Sequence, residues 1–206
     1  MSALPAEFEV ILGPESAGLL MTPEEFDAIE EFDPEYRYEL INGVVIVSPI
    51  PLADETGPNE LLGYLLFNYQ QSTEGMDYLD GSLAQQYVYT RTGRRIADRL
   101  IWTGLGHVPD VRRDVPTIAV EFVSGSRRDR QRDYVDKRSE YAEAGIRQYW
   151  IFDRFQRTLT IVDYGKKRQR MQVISEAHTY ESPHLPGFIV PVARILKAAD
   201  SWAKRK

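Results

Sequence analysis

The chain has 206 residues, 43% of them hydrophobic and 27% charged, with a formal net charge of −6 and no cysteine. That length suits one large domain and that composition an ordinary globular protein. Disulfides and thiolate metal sites are excluded, the acidic balance argues against indiscriminate coating of nucleic acid, and no apolar stretch approaches the ~18–20 residues that span a bilayer.

The opening segment, "MSALPAEFEVILGPESAGLL", lacks a basic stretch followed by an apolar core, so no secretory signal is expected. With the lack of cysteine, this fits a cytoplasmic protein. Residues 1–20 are expected to be peripheral to a single domain covering 1–206.

"MTPEEFDAIEEF" then opens a helix, with Thr22 as cap, Pro23 at the first helical position and Glu25 closing a capping box. In "YRYELINGVVIVSP", Asn42-Gly43 separates two apolar runs, which is a strong hairpin signal because both residues tolerate positive φ. Pro58 is expected to open a second helix whose Leu61, Leu62, Leu65, Leu66 and Tyr69 form an apolar stripe. Strands are expected at 83–91, 95–102 and 117–123, and a helix from 129 to 144 stopping near Gly145. Further strands follow at 148–153, 158–164 and 170–175, then "HLPGFIVP" and an amphipathic helix over 191–202. Early hairpins followed by a strand–helix–strand unit predict an α/β protein of the α+β kind, a mixed β-sheet flanked by helices.

Three carboxylates interrupt otherwise apolar strands. On "RRIADRLIW", Asp98 shares a face with Ile96, Leu100 and Trp102. On "PTIAVEFVSGS", Glu121 shares a face with Ala119 and Val123, and Glu39 lies between Tyr38 and Leu40. Burying an unpaired carboxylate costs several kcal/mol, so each position requires a cation, a hydrogen-bond network or a metal. Arg95 and Arg99 flank Asp98 and offer one partner; the end of the hairpin offers Glu39 water instead. On the helix, Tyr134, Lys137, Tyr141 and Ala144 share one face, which turns Lys137 toward the sheet. The alternative for Lys137 is a surface pair with Asp133, worth only ~0.2–0.5 kcal/mol.

Other chemistries find less support. His107, His178 and His184 form no HExxH pattern, and His178 and His184 read as surface residues. "TGLGH" lacks the helix that a phosphate loop requires, and Ser124 and Ser126 have no histidine base in suitable context. The basic runs "SRRDRQR" and "KKRQR" read equally well as solvated faces or as local contacts to a polyanion.

The ordered set Glu39, Asp98, Glu121 and Lys137 completes a pattern. With "MTPEEF", "YELINGVVIVSP", "IADRLIW", "PTIAVEFVS", "DYVDKRSEYAEAGIRQYWIFD" and "LPGF", it resembles the Uma-two family of restriction-endonuclease-like proteins over residues 21–196. That family is a bacterial branch of the PD-(D/E)xK nuclease superfamily. The resemblance implies a restriction-endonuclease-like three-layer core with the site at a fork in the sheet. It matches Asp98 to the aspartate of the "PD" pair, Glu121 to the acidic residue of "ExK", and Lys137 to a lysine moved from the strand, where Val123 stands, to the next helix. Glu39 matches an extra acidic residue. The sequence departs from the family in having Ala97 before Asp98, and in having "GPNELLGY", with Asn59 the nearest polar substitute, where many members carry a histidine near the start of the second helix.

The implied activity is a metal-dependent endonuclease hydrolysing DNA phosphodiester bonds. Asp98 and Glu121 would hold Mg²⁺, with Mn²⁺ as substitute, and the backbone carbonyl of Phe122 as a further ligand. Lys137 would orient the attacking water or bind the phosphate. Arg127, Arg128 and Arg130 would contact flanking phosphates, and a homodimer would address two strands. Two other readings remain: a nuclease fold used for nucleic-acid binding or regulation, and a buried ion-pair cluster with no ligand. The nuclease reading requires the four residues to share a pocket open to solvent and able to hold a divalent cation.

Overall fold

The structure is a computed structural model, which describes residues 10–72, 78–124, 132–165 and 168–203. Backbone contacts divide the chain into two compact units, Met1–Ile50 with Arg91–Arg95, and Pro51–Thr90 with Ile96–Lys206.

In the first unit the Thr22 capping box forms as the sequence predicts. Thr22 Oγ1 accepts from Glu25 N at 3.2 Å and Glu25 Oε2 accepts from Thr22 N at 2.7 Å. The helix it starts, α1 (Pro23–Asp27), is nevertheless short. The residues beyond it are drawn into extended pairing, because Phe32 bridges Leu12, and Leu12 N donates to Glu31 O while Asp33 N donates to Leu12 O. Strands β1 (Tyr36–Ile41) and β2 (Val44–Pro49) pair antiparallel through the Asn42-Gly43 turn. Both turn residues have positive φ, 50° and 79°, which matches the twist of a two-residue hairpin. The hairpin then pairs Leu40 with Arg94, at the start of β4 (Arg94–Thr103). Arg94 clamps α1 by donating from Nε and Nη2 to the two oxygens of Asp27, at 2.8 and 2.6 Å.

The second unit holds a mixed sheet. β3 (Leu79–Tyr89) pairs with β4, and from β4 the order runs through β5 (Ile118–Phe122), β6 (Gln148–Asp153), β7 (Thr158–Tyr164) and β8 (Gln169–Ser175). From β4 to β8 the pairs are antiparallel except β5 with β6, which are parallel, and a parallel pair requires a crossover. The described part of the crossover contains a π turn, Arg132–Asp136, continuing into α3 (Lys137–Glu143). Helices α2 (Ala53–Gln70) and α4 (Val192–Ala203) cover one face, packing Leu62, Leu66, Ile195 and Leu196 on Ile101, Val120, Trp150 and Phe152. The other face carries Leu100, Trp102, Ala119, Tyr149 and Ile151 against Tyr141 of α3. All five residues of β5 are buried, Glu121 among them, which explains why its other four residues are apolar. A short pair, β9 (Tyr180–Glu181) with β10 (Ile189–Val190), precedes α4.

Helix α2 begins earlier than its proline suggested, at Ala53, with Pro58 inside it. Proline there removes one hydrogen bond, and tertiary contacts offset the loss. Asp54 is bound by Arg154 at 2.8 Å, and Leu52 O accepts from Glu55 N and Thr56 N at 3.0 Å each. Further along α2, Gly63 has a specific reason to lack a side chain. A Cβ there would lie 2.5 Å from Nη2 of Arg99, whose guanidinium is tied to Asn59 and Ser82. Gly63→Ala is expected to destabilise by about 1–3 kcal/mol through overpacking, against the gain of ~1 kcal/mol in helix propensity. Chemical denaturation of the two proteins measures the balance.

Candidate active site

Asp98 and Glu121 are brought together by strand register. β4 and β5 pair Ile101 with Ile118, Leu100 with Ala119 and Arg99 with Val120, so the two carboxylate residues stand one step past the end of that ladder. Asp98 reaches across the step, its Oδ2 accepting from Phe122 N at 2.7 Å. Its Oδ1 accepts from Nε2 of Gln85 on β3 at 3.0 Å. The carbonyl oxygen of Asp98 accepts from Nδ2 of Asn59 on α2 at 2.7 Å.

Lys137 lies on the same side. Its Nζ is 2.8 Å from Glu121 Oε1 and donates to the carbonyl of Ile96 at 3.0 Å, so it links β4 and β5 from α3. The π turn just before Lys137 changes the phase of the helix, and Lys137 and Tyr141, four residues apart, both turn inward. Tyr141 OH donates to Glu121 Oε1 at 2.8 Å. One turn earlier, Tyr134 OH donates to Asp153 Oδ2 at 3.2 Å. Lys137 thus turns inward, on the face that the helical spacing indicated.

The three groups are enclosed rather than lining an open pocket. Relative exposure is 7% for Asp98, 3% for Glu121 and 2% for Lys137. A buried ammonium on a buried carboxylate, with a tyrosine hydroxyl on the same oxygen, is a satisfied arrangement. Among the described residues, no three acidic, histidine or cysteine side chains form a metal-holding cluster. The donor types still fit a magnesium ion, which binds through one or two carboxylates and keeps several waters. Asp98 and Glu121 are such a pair on adjacent strands, with the backbone of Phe122 beside Asp98.

Glu39 belongs to the first unit, where it is 4% exposed and 3.9 Å from Nη1 of Arg95. The hairpin end is thus not wet at this residue. Arg99 turns to the opposite side of β4 from Asp98. Its Nε donates to Asn59 Oδ1 at 2.8 Å, and burial holds its pKa below the usual arginine value. Asn59 is thereby engaged at both ends of its amide. Arg127, Arg128 and Arg130 lie outside the described residues. His178 is exposed as expected, and His107 is exposed too; His184 is only half-exposed, and burial, then the nearby Arg147 charge, lowers its pKa.

Two residues in this constellation were not singled out from sequence as site residues. Tyr141 was recognised only as part of the packed helix face, although a tyrosine one turn after a buried lysine is a natural second donor to the same carboxylate. Gln85 carried no local signal, because its reach to Asp98 depends on an irregularity in β3.

A family model described as "Uma2: Putative restriction endonuclease" matches residues 23–193, most of the chain. A crystal structure described as a "putative nuclease belonging to DUF820", from Anabaena variabilis ATCC 29413, matches with a TM-score of 0.67 and 13% sequence identity. The match covers 87% of this chain and 99% of that one. Comparison with curated proteins finds no match. The fold is therefore that of the restriction-endonuclease-like nucleases, a mixed sheet flanked by helices. The chain belongs to the Uma2 family, and family and fold together indicate a nuclease.

Proposed function

We propose that this protein is a Mg²⁺-dependent endonuclease that hydrolyses DNA phosphodiester bonds. The observation that carries the reading is the meeting of Asp98, Glu121 and Lys137 at the end of the β4–β5 ladder, with Lys137 Nζ 2.8 Å from Glu121. Two carboxylates and an ammonium in a low-dielectric setting are the charges that phosphodiester hydrolysis uses. Asp98, Glu121 and the carbonyl of Phe122 would hold the ion. Bound there, the ion would acidify a water and offset charge on the phosphate.

The chain's own groups have separate tasks. Gln85 and Phe122 N hold the Asp98 carboxylate, and Tyr141 holds that of Glu121. Lys137 neutralises Glu121 in the closed arrangement. It would turn its three donors to the attacking water or the scissile phosphate once a cation takes its place on the carboxylate. The enclosure of these groups implies that loading requires this exchange. The assignments of Glu39 as an accessory carboxylate and of Arg127, Arg128 and Arg130 as phosphate contacts rest on the family resemblance and on sequence position. A cytoplasmic homodimer acting on both strands completes the proposal. The described residues contain no helix long and apolar enough to cross a membrane.

A second reading, a nuclease fold used for nucleic-acid binding with little catalysis, has one observation in its favour. Asn59, the nearest polar substitute for the histidine that the family resemblance implies near the start of this helix, has its amide spent on Asp98 O and Arg99 Nε. Metal linkage and plasmid nicking separate the two. A cation present at ~100 times its Kd stabilises the folded state by about 2.7 kcal/mol, which for this chain length raises Tm by about 5–10 °C. The nuclease reading expects that rise with Mg²⁺ or Mn²⁺, and nicking that stops with EDTA. DNA binding without cation-dependent nicking supports the second reading.

A further inference from the structure

Gln85 departs from the strand that contains it. It lies within β3, yet its φ is +52°, in the left-handed region that non-glycine residues seldom adopt. Its side chain donates from Nε2 to Oδ1 of Asp98 at 3.0 Å. A left-handed residue breaks the alternation of a strand and re-aims its side chain, as at the bulges found beside active sites. Held backbone strain of this kind persists only where its surroundings impose it.

We infer that Gln85 is a positioning residue for the metal-binding pair, and that the irregularity in β3 exists to deliver its amide to Asp98. The inference rests on the proposed nuclease reading. Asp98 has two oxygens, and Phe122 N fixes Oδ2 at 2.7 Å. A second donor on the other oxygen defines the carboxylate plane, and so the direction in which its remaining lone pairs point. Gln85 supplies that donor from a different strand, so β3, β4 and β5 all determine the orientation of one ligand. The same logic governs groups that orient metal ligands from behind, whose removal weakens metal binding by about 10–100-fold.

Two variants separate the amide from the backbone. Gln85→Gly deletes the amide and relieves the left-handed strain, whereas Gln85→Ala deletes the amide and keeps it. Mn²⁺ affinity is read by electron paramagnetic resonance, Tm by calorimetry, and kcat and KM by plasmid nicking. Both variants are expected to bind Mn²⁺ about 10-fold or more weakly. The glycine variant is expected to keep its Tm within about 2 °C of the parent and the alanine variant to melt lower. The KM for DNA is expected to be unchanged, with kcat at fixed Mg²⁺ reduced. A purely structural residue would instead lose affinity in proportion to lost stability, leaving the glycine variant near normal.

Parental affinity in both variants, or loss that follows Tm, overturns the inference while leaving the nuclease reading intact. If the parent binds Mn²⁺ without nicking DNA, the nuclease reading fails and the affinity comparison still decides the role of Gln85. If the parent binds no Mn²⁺, both fail.

Discussion

Glu121→Gln is expected to abolish cation-dependent nicking while leaving a folded protein. Glutamine has the same shape, and its side-chain oxygen can still accept from Tyr141 OH and Lys137 Nζ, which both lie 2.8 Å from Glu121 Oε1. What disappears is the negative charge. A carboxylate that holds the ion contributes several kcal/mol to offsetting charge in the reaction, and ~4 kcal/mol corresponds to about 10³-fold in rate. A loss of at least that size is expected. Stability should also fall, by about 1–3 kcal/mol, because the buried ammonium now meets a neutral acceptor. Circular dichroism checks the fold, and nicking under excess Mg²⁺ checks the rate. Retention of more than a tenth of parental nicking in the folded variant would remove Glu121 from the chemistry.

Lys137→Met is expected to cost more stability than any other single change at this site. The side chain is 2% exposed, and its ammonium contacts Glu121 and the Ile96 carbonyl. Methionine fills much of the same space but leaves the Glu121 carboxylate, 3% exposed, without that counterion. Removing one partner of a buried ion pair costs about 3–5 kcal/mol, or about 6–20 °C in Tm at this chain length. The double variant Glu121→Gln with Lys137→Met should lose less than the sum of the two, because neither charge is then stranded. A divalent cation should recover part of the stability of Lys137→Met by taking over the carboxylate. Additive losses in the double variant would mean that the pair does not interact in solution, and no recovery with Mg²⁺ or Mn²⁺ would count against Glu121 as a ligand.

The closed arrangement explains why these two substitutions are coupled to function. An ammonium seated on the carboxylate keeps the buried acid satisfied. Under the proposed reading, the same contact would compete with metal entry. Exchange of one positive charge for another at Glu121 would then couple loading of the site to release of Lys137 toward substrate.

Much of the framework was legible in the primary structure. Hairpin turn chemistry placed Asn42-Gly43, and apolar periodicity placed β5 to β8 within a residue or two, because both are local properties of the chain. Carboxylates on apolar strands marked Glu39, Asp98 and Glu121, since a buried charge is too costly to occur without a reason. Helical spacing turned Lys137 inward. Element ends fared less well: α1 stops early because Phe32 pairs with Leu12, and α2 starts early because Arg154 holds Asp54. Both outcomes depend on residues distant in sequence, which no local pattern contains.

Tertiary structure alone decided which atoms meet. That Lys137 takes up an ion pair with Glu121 follows from the phase set by the π turn, and a π turn leaves no simple sequence signature. That Arg99 turns away to Asn59 follows from the space left by Gly63 on α2. Gln85 reaches Asp98 only because β3 is held in a left-handed conformation at that residue. The sequence by itself determined which charges had to be buried and on which elements; the packing of those elements determined their partners, because hydrogen bonds and ion pairs depend on distances of a few tenths of an ångström that periodicity cannot specify.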